Sequence, residues 1–181
     1  MTSHKPDSVT WLRAEVARAV APLSADLTGV LRRLIGHDYP PAVAFVEFQV
    51  FPGPSEFTEM FPVRAFFLDE ENTEHFEYVH GKATYPTCVD PGLLDIRGVV
   101  PRETWHAWES RDANIDSHTV AAEAVVPWFA SCWKAAGGAG FPLPAFVCLH
   151  DDPWTFDLRA SRWLDAVTGK PVSGDWPPRP V

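Results

Sequence analysis

The segment 143–158 reads LPAFVCLHDDPWTFDL and gathers an imidazole, two carboxylates and an indole at His150, Asp151, Asp152 and Trp154. A histidine beside a carboxylate can move protons near neutral pH. An imidazole nitrogen and carboxylate oxygens can also hold a divalent metal, provided more donors arrive from elsewhere. His75, His80, Glu47 and Glu77 are the available donors. Neither chemistry has a motif behind it: there is no HExxH, no His-x-His and no calcium-binding loop. The five apolar residues Ala145 to Leu149 read as a buried strand. Neighbouring residues on a strand point to opposite faces, so His150 and Asp151 are not expected to share one ligand. Asp152-Pro153 starts a turn well, because Asp side chains bond to nearby backbone. The cluster therefore reads first as a turn. If the chain catalyses a reaction, His150, Asp151 and Asp152 are its catalytic candidates, with Trp105 and Trp154 as pocket walls. No metal centre and no cofactor are expected, and the reading leans away from an enzyme.

Other routes to catalysis have less support. Ser117 and His118 are sequence neighbours, which does not make a triad, and no G-x-S-x-G elbow is present. Cys132 falls on the apolar face of a helical pattern and Cys148 in the buried strand, so both read as inert core thiols. The run Gly137-Gly138-Ala139-Gly140 closes a helix and precedes a strand. A phosphate loop has the reverse order.

A different signal runs from Glu47 to Glu77, which holds eight acidic residues and one basic residue, Arg64. The same stretch carries Phe57, Met60 and Phe61. Aromatic anchors among charges of one sign are what a protein-binding patch needs. The expected contact residues are Glu47, Glu56, Phe57, Glu59, Phe61, Glu70, Glu71, Glu74 and Glu77. The alternative is a solvated sheet edge whose charges block aggregation. A net charge of −9 argues against nucleic acid and against an anionic membrane surface, and it favours a basic protein partner. In composition, a small, acidic, Trp-rich chain of this kind is broadly similar to bacterial antitoxin or immunity proteins. The likeness covers no motif.

The elements that must position these groups follow from periodicity. Asp7 or Ser8 can cap a helix with Val9, Leu12, Val16 and Val20 on one face, and Pro22 interrupts it. Ser24 is expected to cap a second helix, closed by Gly36. Ala42 to Phe51 alternates as a strand whose second face turns polar at Glu47 and Gln49. Val63–Asp69 and Glu74–His80 read as a hairpin through Glu71-Asn72, pairing Phe67 with Phe76 and Phe66 with Glu77. That register sets Arg64 diagonal to Glu77 as a charge pair. A short strand within 94–99, a helical turn after Pro101, a helix from 116 or 117 to about 136 and a final hairpin near 164–170 complete the pattern. The fold expected is α+β: a mainly antiparallel sheet with helices packed on one face, in a single domain over 1–181. Residues 1–7 and 173–181 are expected to be loose tails. No secretory leader or membrane span is visible, and three cysteines without CxxC spacing suit a reducing compartment, so the expected location is the cytoplasm.

Overall fold

The computed structural model describes residues 8–51, 63–84, 93–94 and 117–172. The expected tails, the loop carrying Glu56, Phe57, Glu59, Met60 and Phe61, and the segment carrying Trp105 lie outside the described residues.

Helix α1 (Ser8–Val20) buries Leu12, Val16 and Val20, one residue per turn. Pro22 has no N–H to continue the ladder, and the chain tightens into a 3-10 turn over Ala21–Leu23. Helix α2 (Ser24–Ile35) follows without a break and buries Leu27, Leu31 and Leu34. Ser24 does not cap it, contrary to expectation. Its backbone is already helical, and its hydroxyl donates to the Ala21 carbonyl at 2.8 Å. The 3-10 turn leaves no open helix end for Ser24 to cap. The same hydroxyl instead accepts the Trp128 indole N–H at 2.8 Å, which ties α2 to the long third helix, α3 (Ser117–Ala135).

The strands in chain order are β1 (Phe45–Val50), β2 (Val63–Leu68), β3 (Glu77–Val79), β4 (Lys82–Thr84), β5 (Leu93–Leu94), β6 (Ala145–Leu149), β7 (Trp154–Asp157) and β8 (Arg162–Asp165). Six of them form one sheet in the order β5-β2-β1-β6-β7-β8, while β3 and β4 form a separate ribbon. The sheet is mainly antiparallel, as expected of an α+β chain. Its central pair, β1 and β6, is parallel. A parallel pair requires the chain to cross over the sheet between the two strands, and the long connection from β1 to β6 contains α3.

One face of the sheet carries Val46, Phe48, Val50, Val63, Ala65, Phe67, Ala145, Val147 and Leu149, all buried and all in one core with the buried residues of the three helices. Phe48 meets Phe129 and Trp133 of α3 at ring-centre distances of 4.8 and 5.5 Å. The other face carries Phe45, Glu47, Gln49, Arg64, Phe66, Phe146 and Cys148, none of which belongs to that core. Alternation on β1 and β6 thus sorts the candidate residues onto the face away from the helical core.

The glycine run ends α3 as expected. Gly137 takes the left-handed conformation, φ +97°, and the chain turns through a 3-10 segment at Gly138–Gly140 into β6. The start of β6 is held from behind by Arg159, in the β7–β8 turn. Its Nη2 donates to the Phe141 carbonyl at 2.6 Å and lies 3.2 and 3.3 Å from those of Pro142 and Leu143. Arg159→Met keeps the aliphatic stem and removes these bonds. The expected loss is about 1–2 kcal/mol in urea denaturation, toward the lower end for charged hydrogen bonds because the residue is exposed.

The expected three-strand meander does not form. Asp69 sets a tighter turn: its Oδ1 accepts the Glu71 and Thr73 N–H groups at 2.9 and 2.8 Å, and Asn72 takes φ +64°. Leu68 therefore bridges Glu74, one residue out of the expected register, and pairing stops there. Beyond it β3 pairs only with β4, through the two-residue turn His80-Gly81, whose φ values are +50° and +76°. That is the backbone twist favoured in tight hairpins. On the sheet, β5 takes the edge beside Val63 and Arg64.

Candidate functional site

Two places gather the candidate residues. The first is the acidic turn and ribbon, residues 69–84. Glu70 and Glu71 are exposed at the turn tip. Glu74 meets Arg64 at 3.4 Å, in place of the expected Arg64–Glu77 pair. The tighter turn brings Glu74, not Glu77, beside β2. Burial raises the Glu74 carboxyl pKa, and the Arg64 charge opposes that shift. Glu77 instead meets His37 Nε2 at 2.7 Å, where the chain leaves α2. The His37 ring packs edge-on against Tyr39, which stacks on Phe67. The ribbon is thus moored to the helix side of the fold. Two aromatic side chains of this segment are exposed, Phe76 in part at 38% and Tyr78 at 75%. Sequence reasoning looked for anchors in the loop before β2 and missed these two. The His-Gly turn four residues after Phe76 is the signal that would have marked a ribbon there.

Asp69 holds this site together, and its carboxyl is pulled below the usual range. The Thr73 N–H contributes most, followed by the contact with His75 Nε2 at 3.0 Å. A lowered folded-state pKa adds stability that is present above the unfolded value and is lost as pH falls through the folded one. Acid is therefore expected to open this turn. In an NMR pH titration the Glu71 and Thr73 amide signals should move together with the Asp69 carboxyl, at a midpoint below 3.8, the ordinary Asp value. A midpoint at or above that value counts against the turn as described.

The second place lies at the C-terminal end of β6. His150 and Asp151 occupy the turn after the strand, so strand alternation does not separate them as expected. Asp151 takes φ +61°, and its Oδ2 lies 3.4 Å from His150 Nε2. Asp152 forms the turn bond: its Oδ1 accepts the Trp154 N–H at 2.9 Å. The turn reading of His150-Asp151-Asp152 is the one that the backbone adopts. The His150 ring lies 4.4 Å from the Phe51 ring, while Trp154 packs against the helix-side core. The structure therefore does not bring Trp154 to His150.

What it does bring to His150 is β1. His150 Nδ1 lies 2.8 Å from Gln49 Oε1, and Gln49 Nε2 donates to Glu47 Oε1 at 2.5 Å. The amide so oriented accepts a hydrogen bond from Nδ1–H and leaves Nε2 toward Asp151. Register extends this chain into a polar row across the second face: Arg64, Gln49, Cys148 and Thr155 stand side by side on β2, β1, β6 and β7, and the apolar Leu164 of β8 closes it. Burial pushes the Cys148 thiol well above its usual range, and the Glu47 and Asp152 carboxylates push it further. Cys132 is raised too, mainly by burial. Both thiols resist ionisation, in keeping with packing roles and against a thiolate nucleophile. Among the described residues no group of three or more His, Cys, Asp or Glu is placed to hold a metal ion, and no helix is long and apolar enough to cross a membrane.

Glu47, expected in the acidic binding patch, thus belongs to the second place and not the first. Gln49, Cys148 and Thr155 were not singled out together, because only the parallel pairing of β1 with β6 makes them neighbours. No family model, no curated protein and no solved structure matches this chain.

Proposed function

We propose that this chain is a non-enzymatic protein-binding domain that takes a basic protein surface at its acidic, aromatic turn and ribbon. One observation carries the reading. The two aromatic residues that stand exposed among the described ones, Phe76 and Tyr78, share a short segment with the exposed carboxylates Glu70 and Glu71. Flat side chains give contact area at low entropic cost, and like charges beside them steer a basic partner. The anchors expected at Phe57 and Phe61 and the acids at Glu56 and Glu59 extend the same proposal. Free Cys132 and Cys148 fit a cytosolic setting, and the immunity-like composition fits a domain whose role is to hold another protein.

The test is a pull-down at low and high salt, followed by association rates for the captured partner. Rates should fall with salt and with charge reversal at Glu70, Glu71 and Glu74. A partner whose rate ignores both sinks the reading.

A second reading is favoured by the Glu47–Gln49–His150 chain. It is a ligand-binding site at the β6 end of the second sheet face, close to the candidates His150, Asp151 and Asp152.

A further inference from the structure

We propose that the second face of the sheet binds an organic cation, an ammonium or guanidinium group, between the Glu47 carboxylate, the Thr155 hydroxyl and the Phe146 ring. The inference rests on the second reading above and gives that site its ligand chemistry; it is independent of the ribbon.

Three observations converge. Thr155 is 9% exposed, and its hydroxyl is buried with no hydrogen-bond partner among the described residues. Buried hydroxyls are almost always bonded, so an unbonded one facing a polar row marks a missing partner. Thr155 pairs in register with Cys148 and stands on the same face. Secondly, the hydrogen bonds to Glu47 come from neutral groups, the Gln49 amide and the Cys148 thiol, and among the described residues no salt bridge reaches its half-buried carboxylate. The Glu47 and Asp152 carboxylates both lie near enough to act on the Cys148 thiol, so the part of the row around Cys148 disfavours an anionic ligand. Thirdly, the face already accommodates one cation of its own. The Arg64 guanidinium lies 4.6 Å from the Phe66 ring centre and meets the Glu74 carboxylate. The same combination of ring and carboxylate recurs on the neighbouring strands, where Glu47 and Phe146 pair in register. A cation placed there gains the ring face and the carboxylate, and the Thr155 oxygen accepts one of its protons.

The experiment is an NMR titration of the isotope-labelled full chain with n-butylammonium and n-butylguanidinium. Butyrate serves as the anionic arm, and sodium chloride matches the ionic strength. Saturable shifts are expected at the Glu47, Phe146, Cys148 and Thr155 amides with both cations and not with butyrate. Glu47→Gln keeps the shape and the Gln49 bond, and should weaken binding by about tenfold or more. Thr155→Val should also weaken binding while raising the melting temperature of the ligand-free chain, because the unbonded hydroxyl is gone. No saturable shift at about 10 mM of either cation overturns the proposal, as does an unchanged affinity in Glu47→Gln. Shifts confined to Glu70 and Glu71 overturn it as well. Saturable butyrate binding without cation binding overturns the cation chemistry and leaves the ligand-site reading standing. The blocked tripeptides Gly-Lys-Gly and Gly-Arg-Gly separate the sources. Binding about tenfold tighter than the butyl cations supports a side chain of a protein partner, and weaker binding supports a free small cation.

Discussion

Gly138→Ala is expected to destabilise this protein by about 3 kcal/mol or more, in the range that overpacking a rigid core produces. A Cβ at this position would sit 2.1 Å from the Trp133 Nε1 atom and 2.3 Å from two further indole atoms. The indole has nowhere to go. It is 1% exposed and lies 5.5 Å from the Phe48 ring and 5.3 Å from the Phe141 ring. Phe48 is the midpoint of β1 and Phe141 leads into β6, so a displaced indole disturbs the packing behind both central strands. Gly140→Ala is the control. It lies in the same turn, but a Cβ there meets nothing within 4 Å. Its effect should stay within about 0.5 kcal/mol. Urea denaturation of the two variants checks the pair, and equal losses would mean that the turn, not the indole, is the sensitive element.

Reversing the charges at Glu70 and Glu71 to lysine is expected to slow association with a basic partner by about tenfold to a hundredfold at low salt. Both residues are exposed at the turn tip, where a long-range field acts on an approaching partner. The difference should nearly vanish near 1 M salt, where the screening length is about 3 Å. Tyr78→Ala should act on the other rate. At 75% exposure the ring contributes nothing to the core, but as an anchor it would hold the complex once formed. Its loss is expected to speed dissociation by about 30-fold, the size of a typical aromatic hot spot. Stopped-flow rates on the partner captured in the pull-down separate the two. A charge reversal that changes only dissociation, or a Tyr78→Ala variant that changes neither rate, removes the ribbon from the interface.

The residues differ in how much of their role was legible from sequence. Local rules placed the Asp152-Pro153 turn, the Gly137 helix end and the buried strand at 145–149, because each depends on a few neighbouring residues. The register of the hairpin after β2 was missed by one residue. The Asp69 carboxylate takes two backbone N–H groups and tightens the turn, an effect that strand periodicity does not carry. The fate of β3 was missed for a related reason. His80-Gly81 closes a two-residue turn, and the ribbon it forms with β4 competes with pairing to β2.

By itself, then, the sequence determined the α+β character of the chain, the helices and their apolar faces, the alternation of β1, and an acidic segment with one basic residue. Those properties are written in composition and in periods of two and 3.6 residues. Only the tertiary structure decided which charges meet. It paired Glu74 with Arg64 and Glu77 with His37, and it left Glu70, Glu71, Phe76 and Tyr78 exposed. It also set β6 parallel to β1, across an interval of about a hundred residues from which local periodicity gives no partner. That pairing joins the HDD turn, through His150 and Gln49, to a polar row running from Arg64 to Thr155.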